Sequence, residues 1–229
     1  MLEFVTTLKS AASRASRKAR SELFVRTMQP TNKDSVVDLG GGSGRHFATH
    51  FPFLENVVIA DYNSRSLARA AKDYNFQTRL VDCTEHLPFA NAEFDIVFCS
   101  SVIEHVTGPK TEAVAQFKQN GRAFRDDAWR YQTRFAAEIR RIGKRYFVQT
   151  PYRYFPVEMH SWIPFLGYMP THMQWRLIQV FNHFWPRKNH EPDWFLLGVR
   201  EMKRLFPDAK ILRERFLVIF TKSLIAIRQ

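Results

Sequence analysis

Short apolar bursts alternate with stretches of helical periodicity over most of this chain. The first burst, Ser35–Leu39, stops at three consecutive glycines, which is how a buried strand running into a tight turn reads. Residues 45–51 have the spacing of a short helix, and Asn56–Asp61 reads as a second strand closed by a carboxylate. Ser64–Tyr74 follows as a helix whose free first-turn amides can be capped by a side-chain oxygen of Asn63 or Ser64. Residues 76–81 and 94–99 supply strands three and four, with a proline-containing loop at 87–91 before the latter. Strands that alternate with helices in this way build βαβ units and hence a parallel sheet.

The second half changes character. Residues 108–142 are polar and helical with a break expected at Gly121, and they lead into a fifth strand at 145–149. The stretch 150–170 is rich in proline and aromatic residues and reads as an insertion, extending to about 190, over the strand ends. Helical periodicity returns at 173–184 and 194–205, and two last strands, 209–216 and 223–227, are close enough in sequence to pair as an antiparallel hairpin. At the other end, Leu2, Val5, Leu8, Ala12, Ala15 and Ala19 recur at helical spacing, so 1–30 predicts an amphipathic helix. Its outer face carries Lys9, Arg14, Arg17, Lys18, Arg20 and Arg26. Such a helix either packs on the domain edge with solvated cations or offers a surface to lipid head groups or RNA.

Composition narrows the class. A chain of 229 residues with 45% hydrophobic and 24% charged residues is an ordinary globule, expected to form a single domain with decorations. No apolar run approaches the roughly 20 residues of a membrane span. Two cysteines, Cys83 and Cys99, build neither a disulfide framework nor a thiolate metal site, and the histidines lack zinc-type spacing with them, so no metal is expected. The basic first segment lacks the apolar core of a secretory signal, although its Arg- and Ser-rich composition leaves an organelle transit peptide open. A cytoplasmic protein is expected, peripheral at a membrane surface if the basic helix meets lipid. The formal charge of +12 favours polyanionic partners, with nucleic acid and anionic lipid both open.

The run Asp38-Leu39-Gly40-Gly41-Gly42-Ser43-Gly44 places an acid ahead of glycines spaced two apart, between a strand and a helix. Glycines there admit positive φ and close approach of a ligand. A dinucleotide turn would need a glycine three residues after Gly42, where Arg45 stands, and Asp38 would repel a pyrophosphate. The same acid suits the ammonium group of S-adenosylmethionine. Asp61 ends strand two where a carboxylate can accept from both ribose hydroxyls. Asp82 ends strand three, placed to accept the adenine amino proton, with the Cys83 amide beside it.

These residues, together with Leu87-Pro88-Phe89 leading through Phe94-Asp95-Ile96-Val97 to Ser101-Val102-Ile103-Glu104-His105-Val106, resemble the class I S-adenosylmethionine methyltransferases, especially the group called type 11. The resemblance covers most of the chain, departing from the family around 110–129. It implies an α/β, Rossmann-like fold: seven strands in the order 3-2-1-4-5-7-6, strand seven antiparallel, helices on both faces. It also implies that Gly40, Gly42 and Asp61 hold the cofactor, that Asp82 and Cys83 flank the adenine, and that Ser100 or Ser101 lies near the methionine end. Asp38, Gly44 and Tyr62 complete the expected cofactor set.

Methyl transfer needs a positioned acceptor and, for a hydroxyl, a base. Strand four ends in Cys-Ser-Ser and no Pro-Cys pair exists, so resemblance gives no support for an adenine-N6 or cytosine-C5 DNA methylase. His105 after strand four is either a base or a cap for the following helix. Glu158 and His160, two apart, would share a side of an extended loop as a carboxylate-oriented base, or else form a hydrogen bond that pins the loop. Their Phe-Pro-x-Glu-x-His setting is similar to a subgroup of bacterial methyltransferases of glycan and lipid pathways. The leading expectation is therefore O-methylation of a small-molecule, glycan or lipid-linked acceptor. An RNA-associated enzyme or RNA-binding protein and a non-catalytic binding domain are the alternatives.

Overall fold

The computed structural model describes residues 2–184, 191–216 and 219–229, with side chains described from Ala15 onward. The 185–190 end of the aromatic insertion and the side chains of Leu2, Val5, Leu8, Lys9, Ala12 and Arg14 lie outside the described residues.

Seven strands form one sheet in the order β3-β2-β1-β4-β5-β7-β6. They are β1 (Ser35–Leu39), β2 (Asn56–Asp61), β3 (Gln77–Leu80), β4 (Phe94–Ser100), β5 (Gly143–Pro151), β6 (Lys210–Phe216) and β7 (Phe220–Arg228). The first five pair in parallel, and β7 runs antiparallel to both β5 and β6. This is the Rossmann-like order expected for a class I methyltransferase. The central strands are mostly apolar because both faces are covered, and successive side chains serve opposite cores. Val37, Val97, Tyr146 and Leu224 pack on one face with Phe135 and Ile139 of α5 (Gly121–Ile142) and Met202 of α7 (Val199–Leu205). Val36, Ile96, Phe98 and Phe147 pack on the other. There they meet Phe24 and Met28 of α1 (Leu2–Met28), Phe47 of α2 (Arg45–His50) and Leu67 of α3 (Ser64–Tyr74). Phe24 sits edge-on to both Phe98 and Phe147, so the basic helix is anchored in the core by its last turns.

A third apolar cluster stands beyond the strand ends. It joins Ala113 and Phe117 of α4 (Lys110–Gln119), Phe124 and Ala128 at the start of α5, Ile163, Leu166, Ile178 of α6 (Thr171–Phe184), Trp194 and Leu196. The stretch 108–142 thus divides at Asn120, whose side chain caps α5 at Ala123 N. The first part builds this cap, while the end of α5 is the crossover helix returning the chain to β5. Residues 194–205 depart from the expected helix. Only Val199–Leu205 is helical, because the segment before it is drawn out as a strap: Phe195 N donates to Glu104 O at 2.8 Å and Arg153 N to Leu197 O at 3.1 Å.

Candidate active site

β1, β2 and β3 end level with one another, Leu39 opposite Ala60 and Asp61 opposite Leu80. Past β1 the chain turns through Gly40, Gly42 and Gly44 with φ of 76°, 57° and 69°. A Cβ on Gly40 would lie 2.2 Å from Val102 Cγ2, and one on Gly44 would lie 2.7 Å from Phe76 Cδ2. On Gly42 it would meet nothing within 4 Å, so here the turn is open to a ligand. Asp61 braces the turn: Oδ2 accepts from Gly42 N at 2.9 Å and Oδ1 from Asn63 N at 2.8 Å. Asp38 is buried behind Gly41, and its carboxyl makes no hydrogen bond among the described residues. Burial first, and the charge of Asp61 second, push its carboxyl up to about 8. Asp82 is exposed and accepts through Oδ1 from Thr84 N at 2.8 Å and Thr84 Oγ1 at 2.7 Å. Beside it, burial and then the charges of Asp82 and Asp61 push the Cys83 thiol up to about 12, leaving an unreactive sulfur. Tyr62 points out to solvent, 79% exposed.

From this turn a cavity of about 730 Å³ opens toward the cap, with Asp38, Gly40 and Gly41 at one end. Ser100 and Ser101 both donate to Gln149 Oε1, at 2.8 and 3.1 Å, and Ser100 Oγ also accepts from Arg20 Nη1 at 3.0 Å. Arg20 pairs with Glu214 at 3.3 Å, and Lys222 Nζ donates to Ser16 Oγ at 2.6 Å. Arg17 lines the same wall. Positive charge dominates here. His46 is held down to about 4 by burial and then by His50, Arg20 and Arg17, and burial lowers the Lys222 amine, a shift that Arg20 adds to and Glu214 opposes.

Glu104 and His160 line the same cavity. Glu104 is fully buried, which raises its carboxyl; Oε2 accepts from Thr150 Oγ1 at 3.0 Å, while Oε1 has no hydrogen-bond partner. Next to it His105 Nδ1 lies 3.3 Å from Asp193 Oδ1. Burial opposes its protonation, but Asp193 and Glu104 outweigh burial and raise the imidazole. His160 Nδ1 lies 2.7 Å from Glu158 Oε1, and its ring stacks on Trp194 and meets His105 edge-on at 4.9 Å between centroids. Glu158 is buried and also takes Ser161 N and Oγ, both at 2.6 Å; burial raises its carboxyl, but bonds from His160 and Ser161 more than offset this and hold it low.

A family model described as a methyltransferase domain matches residues 36–120, the span that holds the glycine turn, Asp61, Asp82 and the β4 end. Over that span the chain is similar to a methyltransferase domain, and its strand order is the one expected for class I S-adenosylmethionine-dependent methyltransferases. Solved structures share the fold. Magnesium protoporphyrin IX methyltransferase of Synechocystis PCC 6803, crystallised with bound SAH, is 12% identical, with 96% of this chain and 84% of that one covered at a TM-score of 0.54. A complex of the Haloferax volcanii Trm112 methyltransferase activator with a protein assigned as a methyltransferase gives 14% identity, 96% and 91% coverage and a TM-score of 0.56. The CurJ carbon methyltransferase gives 10% identity, 92% and 53% coverage and a TM-score of 0.54. No curated protein matches the chain in sequence.

The fold brings the expected residues into two groups. Asp38, Gly40, Gly42, Asp61, Asp82 and Cys83 line up along the strand ends, and the open face of Gly42 with the unpaired Asp38 carboxyl fits S-adenosylmethionine. Gly44 and Tyr62 stand apart, one packed under Phe76 and the other in solvent. His105 does not cap the next helix, since α4 begins after Pro109. Glu158 stands behind His160, outside the cavity wall. Five contributors escaped the sequence reading: Arg20, Glu104, Gln149, Asp193 and Lys222. Two left a signal. Arg20 falls four residues before the buried Phe24, on the inward stripe, and Glu104 interrupts an apolar run.

Proposed function

We propose that the protein methylates an oxygen of a small acceptor, glycan- or lipid-linked, that carries negative charge. The observation that supports this most directly is the cavity leading from the glycine turn. Arg17, Arg20 and Lys222 line it together with Phe155, Trp162 and Phe216, a lining suited to an anionic group joined to an apolar or ring body. On the cofactor side, Gly40 and Gly42 bring backbone up to the ligand, Asp61 has lone pairs left for the ribose hydroxyls, and Asp38 faces the ammonium. Asp82 and the Cys83 amide flank the adenine, and Ser100 and Ser101 stand toward the methionine end. When bound, S-adenosylmethionine supplies an activated methyl group. His160, held by Glu158, faces the acceptor and is placed to receive its proton.

Incubation with methyl-labelled cofactor and matched acceptors tests this. Label should enter hydroxylated acceptors bearing phosphate or carboxylate more than their neutral counterparts, and equal labelling of permethylated acceptors would refute it. The exposed Trp162, Phe165, Tyr168 and Phe184, with the basic face of α1, support a cytoplasmic enzyme that works at an anionic membrane surface. Sedimentation with anionic but not neutral vesicles is the expected result. The exposed Arg17, Lys18 and Arg26 favour RNA as the second reading; there, RNA affinity must fall steeply with salt.

A further inference from the structure

Glu104, His105 and His160 converge at the cavity with one potential ligand atom from each lying within 4.8 Å of the others. Each is fixed from behind by a different element. Thr150 of β5 holds Glu104 Oε2, Asp193 of the strap holds His105 Nδ1, and Glu158 holds His160 Nδ1. That leaves Glu104 Oε1 and the Nε2 atoms of the two rings for a common ligand. Outer carboxylates that grip the rear nitrogen of an imidazole are what orient histidines around a metal. Glu104 Oε1 adds an independent observation: it is a buried carboxylate oxygen without a hydrogen-bond partner, costly unless something positive meets it.

We propose that Glu104, His105 and His160 form a binding site for a divalent transition-metal cation. Two imidazoles and one carboxylate suit Mn²⁺, Fe²⁺, Co²⁺ or Zn²⁺ better than Mg²⁺, which favours oxygen alone, and they leave coordination positions open. Glu104 and His160 lie on the cavity wall, so those positions face the acceptor. With a cation there His160 is a ligand and no longer the base: the cation binds the acceptor oxygen, favours loss of its proton to solvent and steadies the resulting anion. It also adds positive charge to a cavity that Arg17, Arg20 and Lys222 line, so a vicinal diol or a hydroxyl next to an anionic group suits it. The role in acceptor binding rests on the methyl-transfer reading; cation binding does not. The sequence hid the site because its second histidine arrives from beyond β5, with no cysteine and no spacing rule to mark it.

The test is a titration of tag-free, chelator-treated full chain with Co²⁺, followed by visible absorption and calorimetry, with SAH binding measured on the same samples. About one Co²⁺ per chain is expected, displaced by Zn²⁺. Glu104→Gln and His160→Gln should each abolish the visible bands while SAH still binds, and Glu158→Gln should weaken the cation about tenfold to 100-fold. His50→Gln, at the separate His46–His50 pair whose rings are 4.8 Å apart, should change nothing. Failure of the wild type to bind any of the three cations Co²⁺, Mn²⁺ and Zn²⁺ overturns the proposal. So does binding that survives in both Glu104→Gln and His160→Gln, or that is lost in His50→Gln. Absence of SAH binding in the wild type would strike the cofactor assignment alone, because the cation readout does not depend on it.

Discussion

The two sides of the cavity are built in different ways. On the cofactor side the bracing hydrogen bonds are short-range: Asp61 holds Asn63 two residues away and Gly42 nineteen away, and Asp82 holds Thr84. On the acceptor side the contacts span 46 positions from Glu104 to Thr150, 88 from His105 to Asp193 and 206 from Ser16 to Lys222. The first side belongs to consecutive βαβ units and works wherever they fold. The second exists only when α1, the cap, the strap and β7 are all in place. Cofactor binding should therefore be robust to changes in the cap, and acceptor choice should be sensitive to them.

The largest effect expected is on the short-range side. Asp61→Ala removes an acceptor for the ribose and the brace on Gly42, so calorimetry should show SAH binding about 100-fold weaker, given about 1.5 kcal/mol or more for each charge-assisted bond. An unchanged affinity would mean the crevice is not the cofactor site. On the long-range side, Lys222→Met should raise the KM for an anionic acceptor about tenfold and leave SAH affinity within about threefold. If both fell together, the two sides would not be separable.

Asp38 sharpens the contrast through pH. Between the ordinary carboxyl value of 3.8 and the folded value of about 8, the fold retains a proton that the unfolded chain has lost. Stability of the cofactor-free protein should fall as pH rises through that window, and Asp38→Asn should flatten the slope. Placing the cofactor's ammonium beside this carboxyl at pH 7 should expel close to one proton, visible as a binding enthalpy that varies with buffer ionisation. A buffer-independent enthalpy would take Asp38 out of the ammonium site. The smallest effect belongs to neither side: the exposed Lys144–Asp95 pair, at 2.8 Å, should contribute less than about 1 kcal/mol, so Lys144→Ala should leave melting and SAH binding nearly unchanged.

The part of the site that could be read directly follows the same division. Asp38, the glycines, Asp61 and Asp82 could be placed from strand ends because each sits at a boundary that its own neighbours define. Spacing puts Glu158 and His160 on one side of their loop, where they share a hydrogen bond, yet spacing could not say that Glu158 stands behind His160 or that His105 meets the same ring. The strap at 194–198 has helical periodicity, but hydrogen bonds to Glu104 and Arg153 draw it out straight. Local pattern lost to tertiary contact there.

By itself, then, the sequence determined the sheet, its two apolar faces and the glycine turn with its acids, since all of these follow from periodicity and backbone freedom within some tens of residues. Only the tertiary structure decided that Arg20 turns inward to Ser100, that Lys222 and Ser16 share a wall, and that Glu104, His105 and His160 meet. Those groups are brought together by packing between distant segments, and their buried charges gain partners only once the chain has closed around them.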